Sequence, residues 1–226
     1  MTMPVERDIA GDGCGAVVLA AGEARRFGSP KLLMPFGDST VLGSVIHALE
    51  SIGIAPIVVV AGANAQAITE SLADTHAQVV CNPNPASGMV SSIRVGVASL
   101  QVSLPGGPGG IEAMDRFLVA LGDQPRIRAE GISHLIDELV KSGKGIALPI
   151  YQGRRGHPVI FSSGYRREIL ALTDQQTLRD LIDAHRDDSI DVDCDSDAYV
   201  RDIDTMEEYE HELRRWHAER QPKGLS

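Results

Sequence analysis

The chain has 226 residues, 43% of them hydrophobic, and carries 21 Lys+Arg against 31 Asp+Glu for a formal net charge of -10. A chain of that length buries roughly 70% of its unfolded surface, so a packed core is expected and wholesale disorder is excluded. The acidic balance argues against a broad nucleic-acid-binding face, which needs clustered positive charge, but a small anion can still be held in a local basic pocket.

In chain order, the polar start Met1–Asp8 lacks the apolar core of a signal peptide, and residues 1–14 are expected to be a flexible tail. The first strand is expected at Ala16–Ala21, followed by Ile57–Ala61, Gln78–Cys81, Phe117–Leu121, Gly145–Pro149 and Pro158–Phe161. These runs are almost continuously apolar, as in strands covered on both faces of a mostly parallel sheet. Helices fall between them. Ser39 or Thr40 can cap a helix whose Val41, Leu42, Val45, Ile46 and Leu49 share a face and which Gly53 stops. Further helices are read at Asn64–Leu72, through Val90, Ile93, Val97 and Leu100, at Ile132–Val140 and at Thr177–Ala184. Thr205-Met-Glu-Glu208 matches a capping box and opens a last helix, with Met206, Tyr209, Leu213 and Trp216 on one packing face.

This rhythm of strand and helix predicts a layered α/β fold with right-handed crossovers. One domain is expected over residues 15–220, with a short tail at 221–226; Leu104–Gly110 is a turn cluster too short to be a linker. Cys14, Cys81 and Cys194 fit neither a disulfide framework nor a metal pattern and read as reduced thiols. The longest apolar runs are far short of a membrane span, so a cytoplasmic protein with no membrane or nucleic-acid partner is expected.

In an open parallel sheet, ligands bind beyond the carboxyl ends of the strands. The first strand is followed there by Gly22-Glu-Ala-Arg-Arg-Phe-Gly28-Ser-Pro-Lys31. Glycines let backbone N–H groups approach phosphate oxygens, while Arg and Lys neutralise charge; the same residues also make a plain turn with exposed basic side chains. The spacing fits neither G-x4-G-K-S/T nor the dinucleotide fingerprint, because Gly11–Gly15 precedes the strand. Gly122-Asp123-Gln124-Pro125 places a carboxylate at a strand end, as a Mg²⁺ ligand or as an ordinary turn residue. Asp202-Ile-Asp204-Thr205, read as a strand, puts both carboxylates on one face and Ile203 on the other; one can be a second metal ligand or serve the helix cap. The Asp-rich run Asp187–Asp197 reads as a solvated surface segment without EF-hand spacing. Gly88, Ser91 and Ser92 follow Asn82-Pro83 near a helix start. Gly153-Arg154-Arg155-Gly156-His157-Pro158 is a basic turn that can hold a second anion or be a cationic hairpin loop; for His157, anion binding fits better than base chemistry. No G-x-S-x-G, HExxH or CxxC pattern occurs, which leaves hydrolase and zinc readings with little support.

Val18–Lys31 resembles the signature loop of the MobA-like nucleotidyltransferases, V-L-A-A-G-x-A-x-R-F-G-x-x-K. The order of Asn82–Ser92, Gly122–Pro125, Gly153–Phe161 and Asp202–Thr205 is similar to the molybdenum cofactor cytidylyltransferase branch, over about residues 15–213. The resemblance implies a three-layer α/β/α sandwich with a mostly parallel sheet, the nucleotide-diphospho-sugar transferase (GT-A-like) fold. It implies nucleotide contacts at Leu19, Ala20, Ala21, Gly22, Asn82, Gly88, Ser92 and Gly122, with Arg26 and Lys31 catalytic and gripping the triphosphate. Asp123 and Asp204 would hold Mg²⁺, with Mn²⁺ as a substitute, and Arg155, Gly156, His157 and Pro158 would face the acceptor phosphate. The family's usual Ser and Met in the loop are Ala24 and Phe27 here; neither change removes a charge. The implied reaction moves CMP from CTP, or another nucleotide from its triphosphate, onto a molybdopterin-type acceptor. Rival readings are guanylyl transfer, a different phosphorylated acceptor, a regulatory nucleotide-binding domain, or a carrier that delivers the cofactor to an apo-molybdoenzyme.

Overall fold

The computed structural model describes residues 11, 13–22, 30–100 and 114–220. Residues 23–29 of the signature loop, Arg26 among them, the Leu104–Gly110 cluster, most of the 1–14 tail and the 221–226 tail lie outside these residues.

The strands are β1 (Cys14–Ala20), β2 (Pro35–Phe36), β3 (Ser39–Thr40), β4 (Ile57–Ala61), β5 (Gln78–Cys81), β6 (Arg116–Leu121), β7 (Ile146–Tyr151), β8 (Arg154–Arg155), β9 (Val159–Ser162) and β10 (Ser189–Asp193). The helices are α1 (Val41–Glu50), α2 (Ala65–Ser71), α3 (Met89–Ser99), α4 (Ala129–Ser142), α5 (Arg166–Ala171), α6 (Leu178–Ala184) and α7 (Met206–Arg220). The main sheet runs in the order β10-β7-β9-β6-β1-β4-β5, with β8 paired to β7. Parallel pairings join β1 to β4 and β6, β4 to β5, and β10 to β7, whereas β9 runs antiparallel to both its neighbours.

Alternate residues of the central strands feed two apolar layers. Val18, Val59 and Leu118 pack with α1, α2 and α4 on one face, while Val17, Val60 and Val119 pack with α3, α5 and α6 on the other. This is the expected three-layer α/β/α sandwich, and burial on both faces is why the strands read as continuous apolar runs. Thr40 Oγ1 accepts from the Gly43 N–H, so of the two candidate caps for α1 it is Thr40 that serves.

Three expectations need correction. The acidic run Asp187–Asp197 contains the edge strand β10, in which Val192 is buried and Ile190 packs on the core while Asp191 and Asp193 face outward. Asp202–Asp204 forms no strand, although Ile203 is fully buried between two exposed aspartates as the alternation requires. Met206 departs from the α7 stripe: it is exposed, while Tyr209 is buried and Leu213 and Trp216 pack against the core. The helix α5, anchored by buried Ile169, has no counterpart in the sequence reading. No helix of the described residues is long and apolar enough to cross a membrane.

Beneath α7 lies a buried ionic knot. Arg126 donates to Glu212 at 2.5 Å, Glu219 at 2.7 Å and Asp197 at 2.6 Å, and Arg215 donates to Asp197 at 2.5 Å. Burial alone would raise the Asp197 carboxyl, but hydrogen bonds and charge from Arg215 and Arg126 overcome it and hold its pKa at about 2. A depressed carboxylate contributes stability above its unfolded pKa of about 3.9 and loses it as pH falls through the folded value. For Asp197 that contribution is roughly 2 kcal/mol. The variant Asp197→Asn is therefore expected to melt below wild type at neutral pH and to lose less Tm between about pH 5 and about pH 2.5. Thermal melts across that range check both.

Candidate active site

A cleft of about 370 Å³ opens beyond the carboxyl ends of β1 and β6, lined by Leu19, Ala20, Ala21, Gly22, Lys31, Gly88, Ser92, Asp123, Asp202 and Asp204, among others. Its walls come from segments far apart in the chain. The Leu19–Gly22 backbone leaves β1, Gly122-Asp123 leaves β6, and the 3-10 turn Lys31–Leu33 brings Lys31 in from the side. The Gly122 N–H donates to Leu19 O at 2.9 Å, and a Cβ at Gly122 would stand 3.0 Å from that oxygen, so a larger residue there would have to push the two strand ends slightly apart.

Lys31 is the centre of the site. Its buried Nζ donates to Asp123 Oδ2 at 2.6 Å, to the Ile203 carbonyl at 2.6 Å and to Asp204 Oδ1 at 2.9 Å. Burial works against its charge, but Asp123 and Asp204 outweigh that and hold its pKa above the ordinary lysine value. Asp202 reaches the same place: one carboxylate oxygen from each of Asp123, Asp202 and Asp204 lies within 4.8 Å of the others. One ammonium does not neutralise three carboxylates. Burial pushes the Asp123 carboxyl up, Lys31 draws it back, and Asp202 adds to the rise. A compact set of hard, over-negative oxygen donors fits a small divalent cation such as Mg²⁺ or Mn²⁺.

The start of α3 forms another wall. Gly88 sits at φ 92°, a left-handed conformation that glycine takes without strain, and turns the chain into α3 with open space around its Cα. Asn82 is nearly fully buried; its Nδ2 donates to Ser91 Oγ at 2.8 Å and Ser92 Oγ at 3.0 Å, and its Oδ1 accepts from the Asn84 N–H at 2.9 Å. Asn82 thus pins α3 to the end of β5. Neither it nor Gly122 is among the residues lining the cleft.

The basic turn stands apart from the cleft lining. Arg155 pairs with Asp191 at 2.8 Å and lies 3.6 Å from Asp183. The Gly156 N–H donates to Pro149 O at 2.9 Å and the His157 N–H to Tyr199 O at 2.8 Å, while Pro158 is buried. The imidazole Nδ1 lies 3.3 Å from Val119 O, and burial lowers the His157 pKa, so the ring brings no positive charge to an anion at neutral pH. The expected cationic character of this turn therefore rests on its arginines.

Sequence reading left Asp202 open and missed Arg126. The D-I-D alternation carried the signal for Asp202. Nothing in the local pattern marks Arg126, whose partners lie 71, 86 and 93 residues away.

Residues 16–189 match the MobA-like NTP transferase domain. The chain is 28% identical over 202 residues to nicotine blue oxidoreductase of Paenarthrobacter nicotinovorans, covering 85% of this chain and 92% of that protein. It is 23% identical over 195 residues to the molybdenum cofactor cytidylyltransferase of Escherichia coli K12, with the same shares covered. The crystal structure of Rv0371c from Mycobacterium tuberculosis H37Rv superposes with a TM-score of 0.74 at 26% identity, covering 90% of this chain and 99% of that one. The same protein is also known as a manganese complex, with a TM-score of 0.69 and covering 89% and 98% of the two chains. The match to most of its length places this chain in the MobA-like NTP transferase family, a family of nucleotidyltransferases that act on a nucleoside triphosphate.

Proposed function

We propose that this protein transfers CMP from CTP to the terminal phosphate of a molybdopterin-type acceptor and releases pyrophosphate. The observation that carries the reading is Lys31 held between Asp123 and Asp204 at the carboxyl end of the sheet. The likeness to the Escherichia coli cytidylyltransferase supports the choice of base and acceptor.

Asp123 and Asp204, with Asp202 beside them, would hold Mg²⁺, with Mn²⁺ able to replace it. Bound there, the ion would neutralise charge on the triphosphate. The Leu19–Gly22 backbone, Gly88 and Ser92 would seat the base and sugar, because they line the cleft beside the acidic cluster. Lys31, with Arg26 of the signature loop, would stabilise charge that builds on the leaving pyrophosphate. An acceptor phosphate oxygen attacks the α-phosphorus, a new P–O bond forms and the α–β bridging P–O bond breaks. The acceptor phosphate is already ionised at neutral pH, so no protein nucleophile or strong base is needed. The chain's work is positioning and charge neutralisation. The Arg155–Pro158 turn would meet the acceptor from the β7–β9 side of the sheet.

The test is pyrophosphate release with CTP or GTP, Mg²⁺ and molybdopterin acceptor, beside thermal shifts with each nucleotide. CTP is expected to raise Tm more than GTP and to release pyrophosphate only when acceptor is present. Preference for GTP would make the protein a guanylyltransferase, and a Tm shift without turnover would make it a carrier. Asp123→Asn is expected to lower kcat by about a hundredfold or more while the fold survives. Turnover near wild type in that variant would remove Asp123 from the chemistry.

A further inference from the structure

The ammonium of Lys31 stands between two of the carboxylates that would hold a divalent cation. Its Nζ bridges Asp123 Oδ2 and Asp204 Oδ1, the two carboxylates proposed as metal ligands, and is anchored by the Ile203 carbonyl between Asp202 and Asp204. A metal ion bridging the same pair of oxygens would stand where Nζ now stands, and two cations cannot share that position.

We propose that Lys31 is a tethered counter-ion that occupies the metal site of the nucleotide-free protein and must leave it when the metal enters. The inference rests on the reading of this cluster as the metal site of a triphosphate-using enzyme. The displaced ammonium loses two carboxylate partners and the Ile203 carbonyl, and its long side chain keeps it within reach of the cleft. Oxygens of a triphosphate are the partners that can replace the carboxylates there. Metal and triphosphate therefore assist each other: the metal frees Lys31 for the phosphates, and the phosphates hold Lys31 away from the metal's ligands. Such coupling is reciprocal by thermodynamic necessity. Asp202 is the third oxygen donor of the cluster and gives an arriving cation a ligand before the exchange is complete.

Two consequences follow from the exchange. Metal alone binds weakly, because it must break two charged hydrogen bonds to enter. The site also stays folded without metal, because the half-buried carboxylate of Asp123 always has a cation beside it. Lys31 then combines two duties that sequence alone would give to one grip on the phosphates.

The experiment measures Mn²⁺ binding to the nucleotide-free protein by electron paramagnetic resonance, with Asp123→Asn defining binding elsewhere. Lys31→Met is expected to bind Mn²⁺ about five- to fiftyfold more tightly than wild type. Lys31→Arg, which keeps a cation in place, is expected to stay near wild type. Inorganic tripolyphosphate should tighten Mn²⁺ binding to wild type, and this gain should largely vanish in Lys31→Met. In wild type, Mg²⁺ alone should speed acylation of Lys31 by a small amine-reactive reagent, read by mass spectrometry. Mn²⁺ affinity unchanged or weakened in Lys31→Met overturns the proposal, as does a gain abolished by about 0.5 M salt, which would mark a long-range field in place of exchange. Lys31 acylation that Mg²⁺ leaves unchanged or slows overturns it without reference to any variant. Tighter Mn²⁺ binding in Lys31→Met with no response to CTP would uphold the exchange and overturn the nucleotidyltransferase reading; CTP turnover without the Mn²⁺ gain would do the reverse.

Discussion

The site is organised around one ammonium group. Lys31 Nζ touches Asp123, 92 residues away, and Asp204, 173 residues away, within 2.9 Å. That contact joins the turn after the first strand, the end of a central strand and the segment entering the last helix. Taking the ammonium and the half-buried Asp123 carboxylate out of water is electrostatically costly unless the charges are closely paired, whereas Asp202 and Asp204 stay exposed. Leaving Asp123 without a cation would cost more. The cleft is thus held ready by charge pairing, with its remaining negative charge suited to a divalent ion.

The surrounding structure serves to keep those groups in place. Asp204 lies two residues before α7, and Glu208 Oε2 accepts from the backbone N–H groups of Asp204 and Thr205 at 2.8 Å each, while the Glu208 N–H donates back to Thr205 Oγ1. The capping box therefore fixes a candidate metal ligand as well as a helix start. Further along α7, Glu212 and Glu219 are tied to Arg126, three residues after Asp123. The segments that carry Asp123 and Asp204 are clamped to each other twice, once directly through Lys31 and once through this knot. On the opposite wall, Asn82 does the same for α3 with neutral hydrogen bonds.

Much of this was readable from the sequence, and the failures have physical causes. Apolar runs found the central strands because burial on both faces leaves little choice of residue. The edge strand β10 was hidden because its exposed face carries Asp191 and Asp193, so acidic composition masked the Ile190/Val192 alternation. Asp123 and Asp204 were legible as carboxylates at the mouth of the sheet, and the D-I-D pattern correctly put Asp202 beside Asp204. The pairing of Lys31 with those carboxylates was not legible, because the same residue type at the same position serves equally to grip a phosphate. Arg126 was invisible because its partners are set by the packing of α7, which no local spacing records. In the basic turn, the pairing of Arg155 with Asp191 and the burial that favours neutral His157 were likewise not legible, because composition records charge but not partners.

The net charge of -10 and an anionic substrate are compatible on this account, because the cation that matters is recruited to the carboxylates. Bulk charge governs polymers with extended phosphate backbones; a single triphosphate responds to the few groups within hydrogen-bond reach. The most direct test is the position of Mn²⁺ by anomalous X-ray scattering in crystals grown with Mn²⁺ and CTP. The account predicts one strong peak between Asp123 and Asp204, phosphate oxygens completing its coordination, and Lys31 Nζ moved onto the triphosphate. A peak elsewhere, or CTP bound with Lys31 still bridging the two carboxylates, would contradict it.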